Sequence, residues 1–248
     1  MPTGGGRQRC HPGRIWRAAG GADRGPRQPA GALGHPQAPG PASKKKTLRA
    51  SEQARPDIAV ERVVFAEAIK TVAPEDLVFL DETGVSTNLT RLYARAPRGQ
   101  RAYGTAPGRW KRVTVLGALA LSGVVCAMTV PAATDWPVFQ AFLQQVVIPT
   151  LRRQRPGATL VMDHLAAHRL RQARPLLEEA GFLLLPLPRY SCELSPIEYC
   201  WSKLKTPLRT TEPRSIVAIE EQIGPALDTI TPEDAKGWFR NCGYDAPN

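Results

Sequence analysis

LVFLDET (77–83) decides how the chain is read, because four apolar residues run straight into two acids. So short an apolar run reads as a buried strand feeding a loop. TLVMD (159–163) repeats the pattern, and FLLLPLP (182–188) adds another strand. Between and around them the period changes. DWPVFQAFLQQVVIPTLRRQ (135–154) is an amphipathic helix with Phe139, Phe142, Leu143, Val146, Val147 and Leu151 inward. A second helix is predicted over 168–180, ending at Gly181. A third is predicted over 57–72, with Ile58, Val60, Val63, Val64, Ala68 and Ile69 as its apolar positions.

VTVLGALALSGVVCAMTVPAAT (113–134) holds 22 residues without a charge, enough to cross a bilayer. Ser122-Gly123 interrupts it like a turn, and Val and Thr dominate its flanks, so two buried strands joined as a hairpin fit better. Strands alternating with helices predict an α/β layered domain, its sheet mixed because the early strands are hairpin-linked.

The net charge of +11 would ordinarily point to nucleic acid or an anionic surface. Residues 1–50 carry ten Lys and Arg against Asp23 alone, which leaves about +2 for the remaining residues and little inference about partners. Thirty of residues 1–42 are Arg, Gly, Ala or Pro, a composition that buries too little surface to offset chain entropy. A disordered basic segment is expected there, then a linker and helix over 43–75 and a folded domain over 76–248. Cys10, Cys126, Cys192, Cys200 and Cys242 are odd in number and lack a CxxC, which fits reduced thiols in a cytosolic protein.

SPIEYCWSKLK (195–205) poses a choice about Glu198. Ser195 suits an N-cap, Pro196 the first helical position, and Glu198 then completes a capping box. Ile197, Trp201, Leu204 and Leu208 form one apolar stripe, with Glu198, Ser202, Lys205 and Arg209 on a neighbouring face. Chemistry is a second role, compatible with the first, and both are expected of Glu198. Asp81 and Asp163 end two predicted strands and Glu198 begins a helix, so three carboxylates can converge on one sheet edge. Oxygen donors without clustered His or Cys suit Mg²⁺ or Mn²⁺ rather than zinc. Two such ions can stabilise the attacking and leaving oxygens of a phosphodiester displacement.

FLDETGVSTNLTRLYARAPRGQR, VMDHLAAH, PRYSCELSPIEYCWSKLK and WFRNCGY, in that order, resemble the DDE transposases of bacterial insertion sequences in the mariner superfamily. The 34 residues between Asp163 and Glu198 match the interval that family favours. The resemblance implies a ribonuclease-H-like fold, a mixed sheet flanked by helices. It implies Asp81, Asp163 and Glu198 as catalytic metal ligands for two Mg²⁺ or Mn²⁺ ions. It also implies strand cleavage at transposon ends and strand transfer into target DNA. DNA is then the expected partner and a homodimer is left open. No membrane or small-molecule substrate is expected, and the location is the bacterial cytoplasm, at the nucleoid.

Departures accompany the match. His164 follows the second acid where the family commonly has Asn, and Arg189–Pro196 differ from the usual Pro-Tyr-Ser-Pro-Glu/Asp-Leu-Asn-Pro. Residues 1–42 carry no helix-turn-helix pattern, so an inactive remnant that at most binds DNA is the competing expectation. Arg91, Arg95, Arg98, Arg101, Arg109, Lys111 and Arg112, interleaved with Tyr93, Tyr103 and Trp110, are either a solvated loop or a DNA-backbone contact. His168, Lys203 and Lys205 complete the set expected at DNA. A zinc site of His164, His168, Cys192 and Cys200 matches no ordinary ligand spacing.

Overall fold

The computed structural model describes residues 50–163 and 167–245, the side chains of 167–169 excepted. The segment 1–42, expected to be disordered, lies outside the described residues, as does His164. Contacts divide the chain into two units, Met1–Ala50 and Ser51–Asn248, and the second holds every element below.

Five strands form one sheet in the order β3-β2-β1-β4-β5. Strands β1 (Leu77–Ser86), β2 (Arg112–Ala120) and β3 (Gly123–Val130) are antiparallel neighbours. Strands β4 (Thr159–Met162) and β5 (Leu183–Pro186) run parallel to β1. The uncharged run is thus the expected hairpin, turning at Ser122-Gly123 with Gly123 at φ 106°, a conformation glycine adopts without a Cβ penalty. No described helix is long and apolar enough to cross a membrane.

Alternation along β1 sorts two cores. Val78 and Leu80 face one side, where Phe142, Leu143, Leu151, Leu160 and Leu177 fill the space to the helices. Those helices are α2 (Trp136–Ala141), α3 (Ile148–Gln154) and α4 (Ala167–Glu179). A π-helical segment, Phe142–Val147, joins α2 to α3 just before Pro149. Proline lacks the N–H and crowds the carbonyl four residues back, and a widened turn relieves both. Leu77, Phe79 and Val85 face the other side, against α5 (Ile197–Thr211), α6 (Ile216–Asp228) and α7 (Pro232–Asn241). The result is a mixed sheet flanked by helices, the ribonuclease-H-like arrangement.

Helix α1 (Pro56–Ile69) corrects one expectation. Ile58 and Phe65, two turns apart, are its buried residues, while Val60, Val63 and Val64 are 62%, 63% and 63% exposed. Those valines lie on the far side of the helix from Ile58, so the inward stripe follows the 58–65 spacing rather than apolarity alone. Cys126, Cys200 and Cys242 are free thiols. The expectation of reduced thiols holds at these three.

Candidate active site

Asp81 is a polar interruption in an apolar row. Leu77, Phe79 and Val85 are buried on its face of β1, and Asp81 lies among them with Thr83 one pleat further on. The sequence suggested that Asp81 ends its strand. In fact β1 continues to Ser86 because β2 pairs with it along that length, and only the pairing with β4 stops at Leu80. Leu80 is paired with Met162, so Asp81 and Asp163 leave that pairing side by side on parallel strands. Adjacent strands run about 4.8 Å apart, which brings the two acids to one level of the sheet.

Across β2, the register partner of Asp81 is Gly117. Its missing side chain is where the Trp201 ring lies: a Cβ there would stand 2.5 Å from Trp201 Cη2. With the Cη2 corner of its ring set against the glycine, Trp201 donates its Nε1–H to Asp81 Oδ2 at 2.8 Å. One helical turn later Lys205 Nζ donates to Thr83 Oγ1 at 2.6 Å. Four residues of helix rise about 6 Å and two of strand about 6.6 Å, so α5 and β1 can share both contacts while running alongside. Ile197, Trp201, Leu204 and Leu208 are buried, the stripe expected of α5.

Glu198 does not cap this helix. Pro196 occupies the cap position, no side-chain cap bond forms there, and the Glu198 N–H takes the main-chain carbonyl of Ser195 at 3.3 Å. The expected capping box fails because proline holds the cap and Ser195 contributes its carbonyl. The Glu198 carboxyl is instead held above the usual range, first by burial and then by Asp163, while Lys205 pulls it down. Burial, then Asp163 and Glu198, push the Asp81 carboxyl well up, against the opposing Trp201 hydrogen bond. The three acids therefore feel one another. Even so, among the described residues no three His, Cys, Asp or Glu side chains are gathered closely enough to hold a metal ion.

The basic segment forms a long connection between β1 and β2. Arg91, Arg95, Arg98, Arg101, Arg109 and Lys111 are exposed on it, with Tyr93 68%, Tyr103 89% and Trp110 52% exposed. Arg112 begins β2 with its guanidinium carbon 5.9 Å from the Trp110 ring centroid. The roots of this loop are pinned. Arg214 donates to the carbonyls of Thr87 and Leu89, each at 3.0 Å, and of Thr105 at 3.3 Å. Lys203 is paired with Asp234 of α7, apart from the carboxylates. His168 lies in the first turn of α4, its side chain outside the described residues. Of the zinc alternative, Cys200 is buried and free, and both histidine side chains lie outside the described residues.

Trp201, Gly117, Thr83 and Arg214 were not singled out as site residues. A lone glycine inside the apolar strand VTVLGALA was the one visible hint, since strand glycines often mark a close approach.

A family model described as DDE superfamily endonuclease matches residues 76–219, more than half of the chain. No curated protein matches in sequence. Among solved structures, the Mos1 mariner paired-end complex with Mn superposes with a TM-score of 0.64 at 19% identity, covering 82% of this chain and 63% of that one. The Mos1 strand transfer complex gives 0.61 at 19% identity, covering 82% and 62%. The catalytic domain of Mos1 mariner transposase gives 0.50 at 16% identity, covering 82% of this chain and 98% of that one. At such identities the likeness speaks to the fold. The chain spans about three fifths of the longer Mos1 chains.

Proposed function

We propose, from the premise that this chain belongs to the DDE superfamily endonucleases, that it catalyses metal-dependent phosphodiester transfer on DNA as a transposase. The reaction is strand cleavage at transposon ends followed by joining to target DNA. The observation that carries this reading is the placement of Asp81 and Asp163 side by side where the β1–β4 pairing ends, with α5, which bears Glu198, bound to Asp81 through Trp201.

The donor set fits a hard divalent cation by its chemistry: three carboxylates, no nitrogen or sulfur. Asp81, Asp163 and Glu198 would hold Mg²⁺ or Mn²⁺, and two ions are part of this reading. Bound there, the metal would supply Lewis-acid stabilisation to the attacking and leaving oxygens. The chain's own residues do the rest. Trp201 Nε1–H orients Asp81 through Oδ2, and Lys205, anchored on Thr83, adds positive charge beside Glu198. Solved Mos1 complexes with Mn and with Mg support the choice of ion.

DNA as partner is supported by the Mos1 complex with a left transposon end. The exposed Arg91–Lys111 cations would contact phosphates, with Tyr93, Tyr103 and Trp110 as stacking surfaces. A second copy of the chain, to manage a second end, belongs to the same reading, as does a location with the genomic DNA.

A second reading, the fold kept and the chemistry lost, is favoured by one observation: the carboxylates are not gathered to ligand distance among the described residues, and Asp81 is engaged by Trp201. Calorimetric titration of Mn²⁺ into the full chain separates the two, beside Asp163→Asn and Glu198→Gln. Binding that weakens in both variants supports the transposase. Equal binding in all three proteins, or none in any, supports the remnant.

A further inference from the structure

Glu198 follows Ser195 by three residues, so its direction is set by the segment 189–195. That segment has little regular structure. It contains a single 3-10 turn, Cys192–Leu194, and Tyr190 at φ 57° in the left-handed region. A tyrosine stays there only where its surroundings hold it.

The holding comes from two directions. The Tyr244 ring is buried against Phe79 and Phe239, and its hydroxyl donates to the Leu194 carbonyl at 2.5 Å. This gives the WFRNCGY motif a purpose. From the opposite end of the chain, α1 and the turn before it grip the same segment. Arg189 donates to Glu61 Oε1 through Nη2 at 2.6 Å and Nε at 2.9 Å, and to Asp57 Oδ2 at 2.9 Å. Glu61 Oε2 also accepts the Arg189 main-chain N–H at 3.2 Å. Arg62 pairs with Glu193 at 2.8 Å and donates to the Ser191 hydroxyl. The Gln53 amide donates to the Tyr190 carbonyl at 2.7 Å.

These side chains are about one-third exposed, Arg189 at 36% and Glu61 at 33%, and exposed ion pairs add little to stability. What a forked, converging set supplies is geometry, since a bidentate guanidinium–carboxylate pair fixes both partners in a plane. The helix that supplies it lies upstream of residues 76–219, the family-matched region.

We infer that Glu61 and Arg189 are positioning residues: their clasp sets segment 189–195 so that Glu198 turns its carboxylate toward Asp81 and Asp163. Loosening the clasp therefore loosens the segment that leads into α5 at Glu198. The inference rests on the reading of Glu198 as a metal ligand.

The test uses the full chain as wild type, Glu61→Arg, Arg189→Glu and the double swap, with Glu61→Gln as a milder variant. Mn²⁺ affinity is read by calorimetry, and amide hydrogen exchange over 190–198 is read without metal. Each charge reversal should weaken Mn²⁺ binding several-fold, up to the roughly ten-fold at the low end for losing a group that touches a ligand. It should also speed exchange in the segment and leave the urea midpoint nearly unchanged. The double swap should recover part of both losses, because Asp57 then faces a like charge and the residue-189 main-chain N–H loses its acceptor, with Glu61→Gln between wild type and the reversals. Wild-type affinity and exchange in the single variants, while Glu198→Gln loses Mn²⁺, would sink the clasp and leave the ligand reading standing. A double swap no better than the singles would also sink it. Wild-type Mn²⁺ binding by Glu198→Gln would instead remove the ligand reading, and this inference with it.

Discussion

Gly117→Ala probes the seat of Trp201 with a single methyl. The new carbon would lie 2.5 Å from Trp201 Cη2 and 3.3 Å from Cζ2. Carbon atoms in contact prefer about 3.5–4.0 Å, so the ring must retreat by about 1 Å. The Nε1–Oδ2 bond, now 2.8 Å, would then be stretched out of range. Overpacking of this kind costs about 1–3 kcal/mol. A hydrogen bond to a charged group is worth about 1.5–3 kcal/mol. Removing a strand glycine returns about 0.5–1 kcal/mol. The net loss is about 2–5 kcal/mol, or roughly 5–15 °C in melting temperature for a domain of this size. Urea unfolding followed by tryptophan fluorescence measures it. Trp201→Phe, which lacks the N–H and has a smaller ring, should make the same methyl less harmful, with a coupling of about 1 kcal/mol between the two sites. A Gly117→Ala protein melting within about 1 °C of wild type, or strict additivity in the pair, would refute the reasoning.

The buried Asp81 carboxyl makes a pH prediction. Its native pKa is raised above the ordinary 3.8 by burial, then by Asp163 and Glu198, so its contribution is present at low pH and is lost as pH rises through the native value. Without metal, Asp81→Asn should gain melting temperature over wild type as pH climbs toward neutrality, and saturating Mn²⁺ should reverse that order. A gap that does not change with pH contradicts this. Phe79→Ala removes a ring packed edge-on against Phe239 at 5.3 Å and should cost about 3–5 kcal/mol in urea unfolding. Arg214→Ala removes the ties from Thr87, Leu89 and Thr105 of the β1–β2 connection, so trypsin should cut between residues 91 and 109 at least roughly five-fold faster, with the global midpoint little changed. Replacing Arg95, Arg98 and Arg101 together by Ala should reduce the salt slope of duplex DNA binding by about 2–3, measured by fluorescence anisotropy. An unchanged slope would return that loop to the status of solvated surface.

The sheet was legible because its buried strands write themselves as short apolar runs: TLVMD and the uncharged hairpin fell where expected, while LVFLDET began its strand as expected and ran on to Ser86 through pairing with β2. Helices α6 and α7 were not read. Pro225 interrupts the pattern of α6, and the capping box of α7, Thr231 with Asp234, precedes a run with few apolar residues. The valines of α1 misled because apolarity says what a helix could bury, and only its neighbours decide what it does. Glu198 misled in a different way. A capping box and a site carboxylate share one spelling, S-x-x-E, and the distinction lies in Pro196 holding the cap while the acid turns inward. The contact that orients Asp81 joins residues 120 positions apart and depends on an absent side chain at Gly117, a relation no local pattern encodes.

Anomalous diffraction at the manganese edge from crystals of the full chain soaked in Mn²⁺ tests the central claim most directly. The expected result is a peak touching carboxylate oxygens of Asp81 and Asp163, a Glu198 oxygen within reach of the same site, and loss of the peak in Asp163→Asn. A peak elsewhere, or none while Trp201 still donates to Asp81, would contradict it and leave a fold without its chemistry.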